Sequence, residues 1–298
     1  MTSHLSYVLI TPARNEAQFI ELTIKSVVAQ TSRPLKWVIV SDGSTDGTDE
    51  IVRRYTTQHA WIELVRRPER QDRHFAGKAH AFHAGYEKVT NLPYEIIGNL
   101  DADLTFEPDH LAYLLSQFVN NSKLGVAGSS YEDVRHGARY DYRFANPEDV
   151  PGACQLFRRE CFEAIGGYPA IKGGNLDTIA SMSARMKGWE TRTFTEKPML
   201  HYRESGTAES NVLRARFKKG VKAYAMGNHP VFEIFRIVYQ MTKSPLLVGG
   251  LASLCGYAWS SMKREPRPVP GELVAFRRRE QMQRLRRVLS GQWILHRM

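Results

Sequence analysis

Four apolar runs recur through the first hundred residues, in SYVLITPARN, LKWVIVSDGSTDGT, IELVRRP and YEIIGNL. The first three are each followed by a polar loop and a helical pattern. This alternation constrains the fold more than any other feature. EAQFIELTIKSVVAQ sets Phe19, Ile20, Ile24, Val27 and Val28 on one helical stripe, and TDEIVRRYTTQH and GKAHAFHAGYEKV read as the next two helices. Strands alternating with helices predict an α/β fold, a mostly parallel sheet covered on both faces. Ligands of such sheets sit at the carboxyl ends of the strands, where these loops lie. Further on, PDHLAYLLSQFVN reads as a helix, LGVAGSSYED as a strand, and ACQLFRRECFEAIGGY as a strand leading to a helix stopped at Gly166-Gly167. NLDTIASMSARMKGW reads as a helix with Asp177 in its first turn, and ETRTFTEKPMLHYRE as extended chain ending at His201.

Charge divides the chain in two. The net +10 arises from +13 over residues 211–298, with 17 Lys+Arg against 4 Asp+Glu, and −3 over residues 1–210. We therefore expect a domain over 1–210 and a basic helical appendage over 211–298. Three cysteines without CxxC spacing indicate neither a disulfide framework nor a zinc site, and fit a reducing compartment. The N-terminal stretch lacks the basic leader and long apolar run of a secretory signal, so a cytoplasmic protein is expected. No GxGxxG follows the first strand, which argues against a nicotinamide enzyme.

The run YEIIGNLDADLTFEP ends in Asp101 and Asp103, one residue apart. Two readings are open: a cap for the next helix, or carboxylates holding something cationic. In extended chain the two would point to the same side, and hard carboxylate ligands suit Mg²⁺ or Mn²⁺. SDGSTDGT has turn chemistry throughout. Gly77, Lys78 and Ala79 open a helix, where an N-terminus beside a cation suits a phosphate. The preceding ERQDRH adds Arg70 and Arg73, read either as an exposed basic loop or as a nucleotide contact.

Together these motifs resemble the family 2 glycosyltransferases, which have the GT-A fold. TPARNE, SDGSTDGT, GKAHAFHAG, the DAD of Asp101 to Asp103, FRRECFEAIGGY and the helix opening at Asp177 follow the family's order over roughly residues 5–205. The resemblance implies an inverting transfer of a sugar from a nucleotide-diphosphate donor to a hydroxyl. It assigns Asp103 to the metal, Asp101 to the metal or the donor's ribose, and Asp42 to the nucleotide base, with Thr11, Pro12, Arg14 and Glu16 lining that pocket. A carboxylate at Asp42 accepts from the imide N–H of uracil or thymine, which favours UDP or dTDP, while the N–H donors of guanine leave GDP open. Asp177 takes the place of the general base, although the family's usual adjacent acidic pair is here Leu176-Asp177. His201 falls where several relatives place a histidine that reaches the metal, and PGACQLFR at 151–158 is expected beside the sugar.

The family's membrane-embedded members carry a Gln, Arg, Trp signature where this chain reads NVLRARFKKG, which favours addition of one sugar over processive synthesis. The uncharged stretch 244–262 contains Pro245, Gly249, Gly250 and Gly256, and is expected to be interfacial or re-entrant. With the Arg-rich pattern ELVAFRRREQMQRLRRVL after it, this suggests an anionic membrane surface on the inner face of the plasma membrane and a lipid-linked or envelope saccharide as acceptor. A packed helical appendage is the alternative reading. No aromatic-interleaved pattern supports nucleic-acid binding. Two competing functions are a nucleotidyltransferase of similar topology and a non-catalytic membrane-bound scaffold on the same fold.

Overall fold

The computed structural model describes residues 5–69, 76–134, 146–169, 171, 175–203, 212–242 and 246–290. The chain separates into two compact units, Met1–Glu204 and Ser205–Met298.

The first unit is built on a sheet ordered β3-β2-β1-β4-β7-β6-β8-β5. Its strands β1 (Tyr7–Ala13), β2 (Lys36–Asp42), β3 (Ile62–Arg67) and β4 (Ile96–Leu100) pair in parallel, as the strand and helix alternation predicts. β7 (Cys154–Arg158) then runs antiparallel to both β4 and β6 (Leu124–Asp133), and β6 pairs in parallel with β8 (Glu190–His201). The two-residue strand β5 (Leu104–Thr105) closes the order antiparallel to β8.

Alternate strand residues feed two separate cores. Tyr7, Leu9, Trp37, Ile39 and Ile96 enter one, which α1 (Ile20–Val28), α2 (Thr48–Thr56) and α4 (His110–Asn120) cover. Val8, Ile10, Val38, Val40 and Ile97 enter the other, beneath α3 (Ala76–Tyr86), α5 (Arg159–Ala164) and α6 (Leu176–Met186). A period of two along each strand and helices on both faces produce this division. The architecture is the mixed α/β sheet, with helices on both faces, that the alternation predicts.

One local expectation is corrected. Ala102 and Asp103 form a turn between β4 and β5 rather than extended chain, and β5 begins only at Leu104. The consequence is that Asp101 and Asp103 acquire different partners.

The second unit contains α7 (Val212–Ala225), α8 (Pro230–Met241), α9 (Val248–Met262) and α10 (Gly271–Leu289). Its polar interior joins Asn228, Glu233, Arg277 and Gln281: Arg277 and Gln281 donate to Asn228 Oδ1, and Asn228 donates to Glu233. Among the described residues no helix is long and apolar enough to cross a membrane. Cys154, Cys161 and Cys255 are all free thiols.

Candidate active site

The loops after β1 and β2 are laced to each other by the residues that give SDGSTDGT its turn chemistry. Asp46 accepts from the Thr48 amide through Oδ1 and from the Ala17 amide through Oδ2. Thr48 Oγ1 accepts from the Glu16 amide, Ser44 Oγ from the Asn15 amide, and Asn15 Oδ1 from the Thr45 amide. Asn15 holds a left-handed φ of 55°, a conformation asparagine tolerates. Most of that motif therefore shapes the loop. Asp42 is the exception: it sits at the end of β2, is 4% exposed, and receives Arg67 Nη1 at 2.8 Å from the end of β3.

Thr11 is fully buried in β1, and its hydroxyl accepts from the Trp37 indole at 2.9 Å, which braces the strand. Pro12 and Arg14 are half-buried at the exit of β1. Glu16 receives Arg203 Nη2 at 2.5 Å. Arg73, with Arg70, lies outside the described residues.

Gly77 and Lys78 lie in the first turn of α3, and Lys78 reaches across to the β4 exit. Its Nζ donates to Asp101 Oδ1 at 2.5 Å and to the Gly152 carbonyl at 3.3 Å. Burial works against the Lys78 ammonium, yet the carboxylates of Asp101, Asp177 and Asp103 hold its pKa above the ordinary lysine value. Burial pushes the Asp101 carboxyl up, Lys78 pulls it down, and the neighbouring Asp103 raises it again, for a net upward shift.

Gly152 is the junction of the site. Its carbonyl also accepts from Asn99 Nδ2 at 2.5 Å, and its amide donates to Asp177 Oδ2 at 3.1 Å. Gln155 on β7 holds the Asp177 backbone carbonyl at 3.2 Å. A side chain at position 152 would place its Cβ 3.0 Å from Asp177 Cβ, a tight contact that Asp177 would have to shift by a few tenths of an ångström to relieve.

Asp103 is 6% exposed and takes its partners from the far edge of the sheet. The register of β5 against β8 sets Leu104 opposite His201, and the Tyr202 amide donates to the Asp103 carbonyl at 3.0 Å. His201 Nε2 is 3.4 Å from Asp103 Oδ1, and Arg203 Nε is 3.7 Å from Oδ2. Burial disfavours a charged His201, but its hydrogen bond to Asp103 and the charges of Asp103 and Asp101 outweigh that and raise its pKa. Neither aspartate caps a helix, because α4 begins at His110 behind Asp109.

A divalent cation fits the chemistry of this pair. Two ligands of one octahedral cation at about 2.1 Å each stand about 3 Å apart, close to the observed oxygen to nitrogen separation. Among the described residues no three His, Cys, Asp or Glu side chains converge as a fully protein-ligated metal would need. A cation here would therefore draw further oxygens from a bound ligand or water.

The sequence singled out Asp42, Lys78, Asp101, Asp103, Asp177 and His201, and the structure brings Lys78 and the last four of these into one neighbourhood. It adds Arg67, Asn99 and Arg203, and picks out Gly152 from the PGACQLFR segment expected beside the sugar. Arg67 could have been found as a cation at a strand exit, and Arg203 as one two residues beyond His201. Nothing in the sequence marks Asn99.

The sequence profile of Glycosyl transferase family 2 matches residues 8–166, more than half of the chain. The chain belongs to this family. A probable glycosyltransferase of Bacillus subtilis, YdaM, is 25% identical over 206 residues, covering 65% of this chain and 45% of YdaM. The succinoglycan biosynthesis protein ExoA of Rhizobium meliloti is 26% identical over 231 residues, covering 68% of this chain and 64% of ExoA. The chain thus spans less than two thirds of either relative. A mannosyltransferase of Pyrobaculum calidifontis, solved with GDP-Man and Mn²⁺, superposes with a TM-score of 0.60 at 20% identity over 88% of this chain and 76% of that one. TarS of S. aureus, solved with UDP, gives a TM-score of 0.54 at 15% identity over 72% of this chain and 64% of that one. These likenesses show the fold, a GT-A architecture.

Proposed function

We propose that this family member is an inverting hexosyltransferase that moves a sugar from a nucleotide-diphosphate donor to a hydroxyl of a lipid-linked or envelope saccharide. The observation that carries the reading is the meeting of three aspartates, from the β4 exit and from α6, around Lys78 and Gly152.

Asp177 is assigned as the general base. The Gly152 amide holds Oδ2 and so fixes the carboxylate plane, leaving Oδ1 to accept the proton of the acceptor hydroxyl. The hydroxyl oxygen then forms the new bond to the anomeric carbon on the face opposite the nucleoside diphosphate, which departs with the electrons of the broken glycosyl bond. Asp103 and His201 would hold Mg²⁺ or Mn²⁺; when bound, that ion neutralises charge on the departing diphosphate as a Lewis acid. Lys78 adds a fixed positive charge beside the same region, held by Asp101.

The Asp42 and Arg67 pair at the ends of β2 and β3 is assigned to the base. With an acceptor carboxylate beside a donor guanidinium, we favour a UDP sugar, with dTDP and GDP as the competitors. That one relative is a succinoglycan biosynthesis protein, and that fold neighbours were solved with GDP-Man, UDP and UDP-GlcNAc, supports a nucleotide-sugar donor and a saccharide acceptor.

Calorimetric titration with UDP, GDP and dTDP, in Mn²⁺ and in chelator, tests the donor half. One nucleotide is expected to bind only with the metal, and Asp103→Ala is expected to weaken it about 50-fold, in keeping with loss of a ligand or its partner. Binding indifferent to metal and to Asp103→Ala would remove the basis of the reading.

A further inference from the structure

The α9 helix of the second unit is inside out for a helix in water. Its buried face is Gly249, Gly250, Ser253, Gly256, Tyr257 and Ser260. Its outer face carries Val248, Leu251, Leu254, Trp259 and Met262, between 37% and 82% exposed. These outer residues recur at helical spacing along the full length of the element. An ordinary surface helix turns such residues inward.

The small face has a clear packing role. Gly220 of α7 approaches the Ser253 carbonyl so closely that a Cβ there would collide with it, and a Cβ at Gly256 would collide with the Phe217 carbonyl. Ser253 Oγ donates to the Arg216 carbonyl at 3.0 Å across the same contact. Small residues that let two backbones meet, with large apolar residues facing out, are the arrangement of helices whose outer medium is hydrocarbon.

Beside it, α8 presents a second outward apolar stripe of Val231, Ile234, Phe235 and Val238. The two helices pack on each other, with Gly250 against the Ile237 carbonyl. At 15 residues, α9 is about 22 Å long, shorter than the roughly 30 Å of a hydrocarbon core. It cannot span a bilayer, but it can lie in one leaflet.

The charge at the edge of this face selects the kind of leaflet. Lys263 and Arg264 follow α9 directly and are exposed, as is Arg267 three residues on. Lys263 Nζ stands 4.3 Å from the centroid of the Trp259 ring, an amphipathic pair suited to the headgroup level. We infer that the outward faces of α8 and α9 form a monotopic docking surface for an anionic phospholipid leaflet, into which α9 inserts to partial depth. The inference deepens the lipid-linked acceptor reading by naming the membrane contact, and it stands on residues that take no part in donor chemistry.

Cys255 lies on the outer face of α9, whereas Cys154 and Cys161 are buried, so a thiol-directed, environment-sensitive dye labels the surface in the full chain. With vesicles of phosphatidylglycerol and phosphatidylcholine, we expect a blue shift of the dye and co-flotation of the protein. Replacing the anionic lipid or adding 0.5 M salt is expected to weaken binding on the order of a hundredfold, about fivefold for each of three basic side chains. Leu251→Glu and Met262→Glu alter exposed positions and should abolish flotation while the metal-dependent nucleotide titration stays unchanged. A dye that remains in water with bound vesicles, or flotation unaffected by both substitutions, would overturn the inference. So would a dimer in solution that Leu251→Glu dissociates without any response to vesicles, because the face would then be an interface between copies.

Discussion

Gly152 shows how one residue without a side chain can set the chemistry of a site. Its amide and carbonyl connect Asp177, Lys78 and Asn99. Gly152→Ala would drive a methyl group against the Asp177 Cβ and Cγ. Asp177 must give way by a few tenths of an ångström, so kcat for donor hydrolysis should fall on the order of tenfold while nucleotide affinity holds. Asp177→Asn keeps the shape but removes the carboxylate proposed as the base, and a loss of 10²-fold to 10⁴-fold is expected. Steady-state kinetics of both variants, with calorimetry as the binding control, check the separation: a loss of nucleotide affinity equal to the loss of kcat would assign Gly152 to folding instead. His110 offers a residue-scale test of stability. It is fully buried, stacks near Phe106, and neither ring nitrogen has a hydrogen-bond partner. Burial, assisted by Lys197, lowers its pKa from 6.5 to about 4. The folded state therefore binds this proton less readily than the unfolded chain, so the contribution is intact above pH 6.5 and is lost as pH falls towards 4. The full loss is roughly 3 kcal/mol. Urea denaturation at pH 7.5 and pH 5.0 should show His110→Leu losing about 2 kcal/mol less than wild type between the two.

At the scale of elements, the shortest strand has the largest bearing on the site. β5 contributes two residues, yet its pairing with β8 brings His201 to Asp103. It is pinned from the opposite side by Thr23 of α1, whose hydroxyl donates to the Leu104 carbonyl at 2.9 Å and accepts from the Leu104 amide at 3.0 Å. Thr23→Val conserves volume and leaves both backbone groups without that partner. A destabilisation of about 2 to 4 kcal/mol follows from two buried groups unpaired, and metal-dependent nucleotide affinity should fall although Thr23 touches neither ligand. Unchanged affinity in a destabilised variant would show that β5 keeps its register without this pin. The same strand marks the limit of what the sequence reveals. Long apolar runs and helical stripes are repeated signals, so β1 to β4, α1 to α4, β6 and α6 are legible from periodicity alone. Two residues cannot display a period. The pairing that unites Asp103 with His201 sets Leu104 opposite His201, a contact across 97 positions, and only the family resemblance hinted at it. Asn99 was hidden for another reason: it sits within an apolar run as a buried polar residue, and its partner is a backbone carbonyl 53 positions away.

The molecule as a whole segregates its apolar surface and its charge. Residues 1–204 bury their large apolar side chains in two cores on either face of one sheet. Among the described residues of 205–298, Ala223, Tyr224 and Tyr257 form a small buried cluster, Ile237, Leu273, Val274 and Leu285 are buried as well, a polar interior surrounds Asn228, and the large apolar side chains along α8 and α9 are mostly turned outward. The positive charge is concentrated in the same segment, at +13 over 211–298 against −3 over the rest. A unit of this kind gains stability from whatever covers its outer face, whereas the first unit closes on itself. Ending the chain after Glu204 should therefore leave a folded, monodisperse protein that keeps its metal-dependent nucleotide affinity and loses vesicle flotation. Saturating nucleotide with Mn²⁺, at about a hundred times its dissociation constant, should stabilise both lengths of chain by about 2.7 kcal/mol. Anionic vesicles should raise the melting temperature of the full chain only. If the shortened chain fails to bind nucleotide while remaining folded, the second unit contributes to the donor site, and the division of labour argued from burial and charge is wrong.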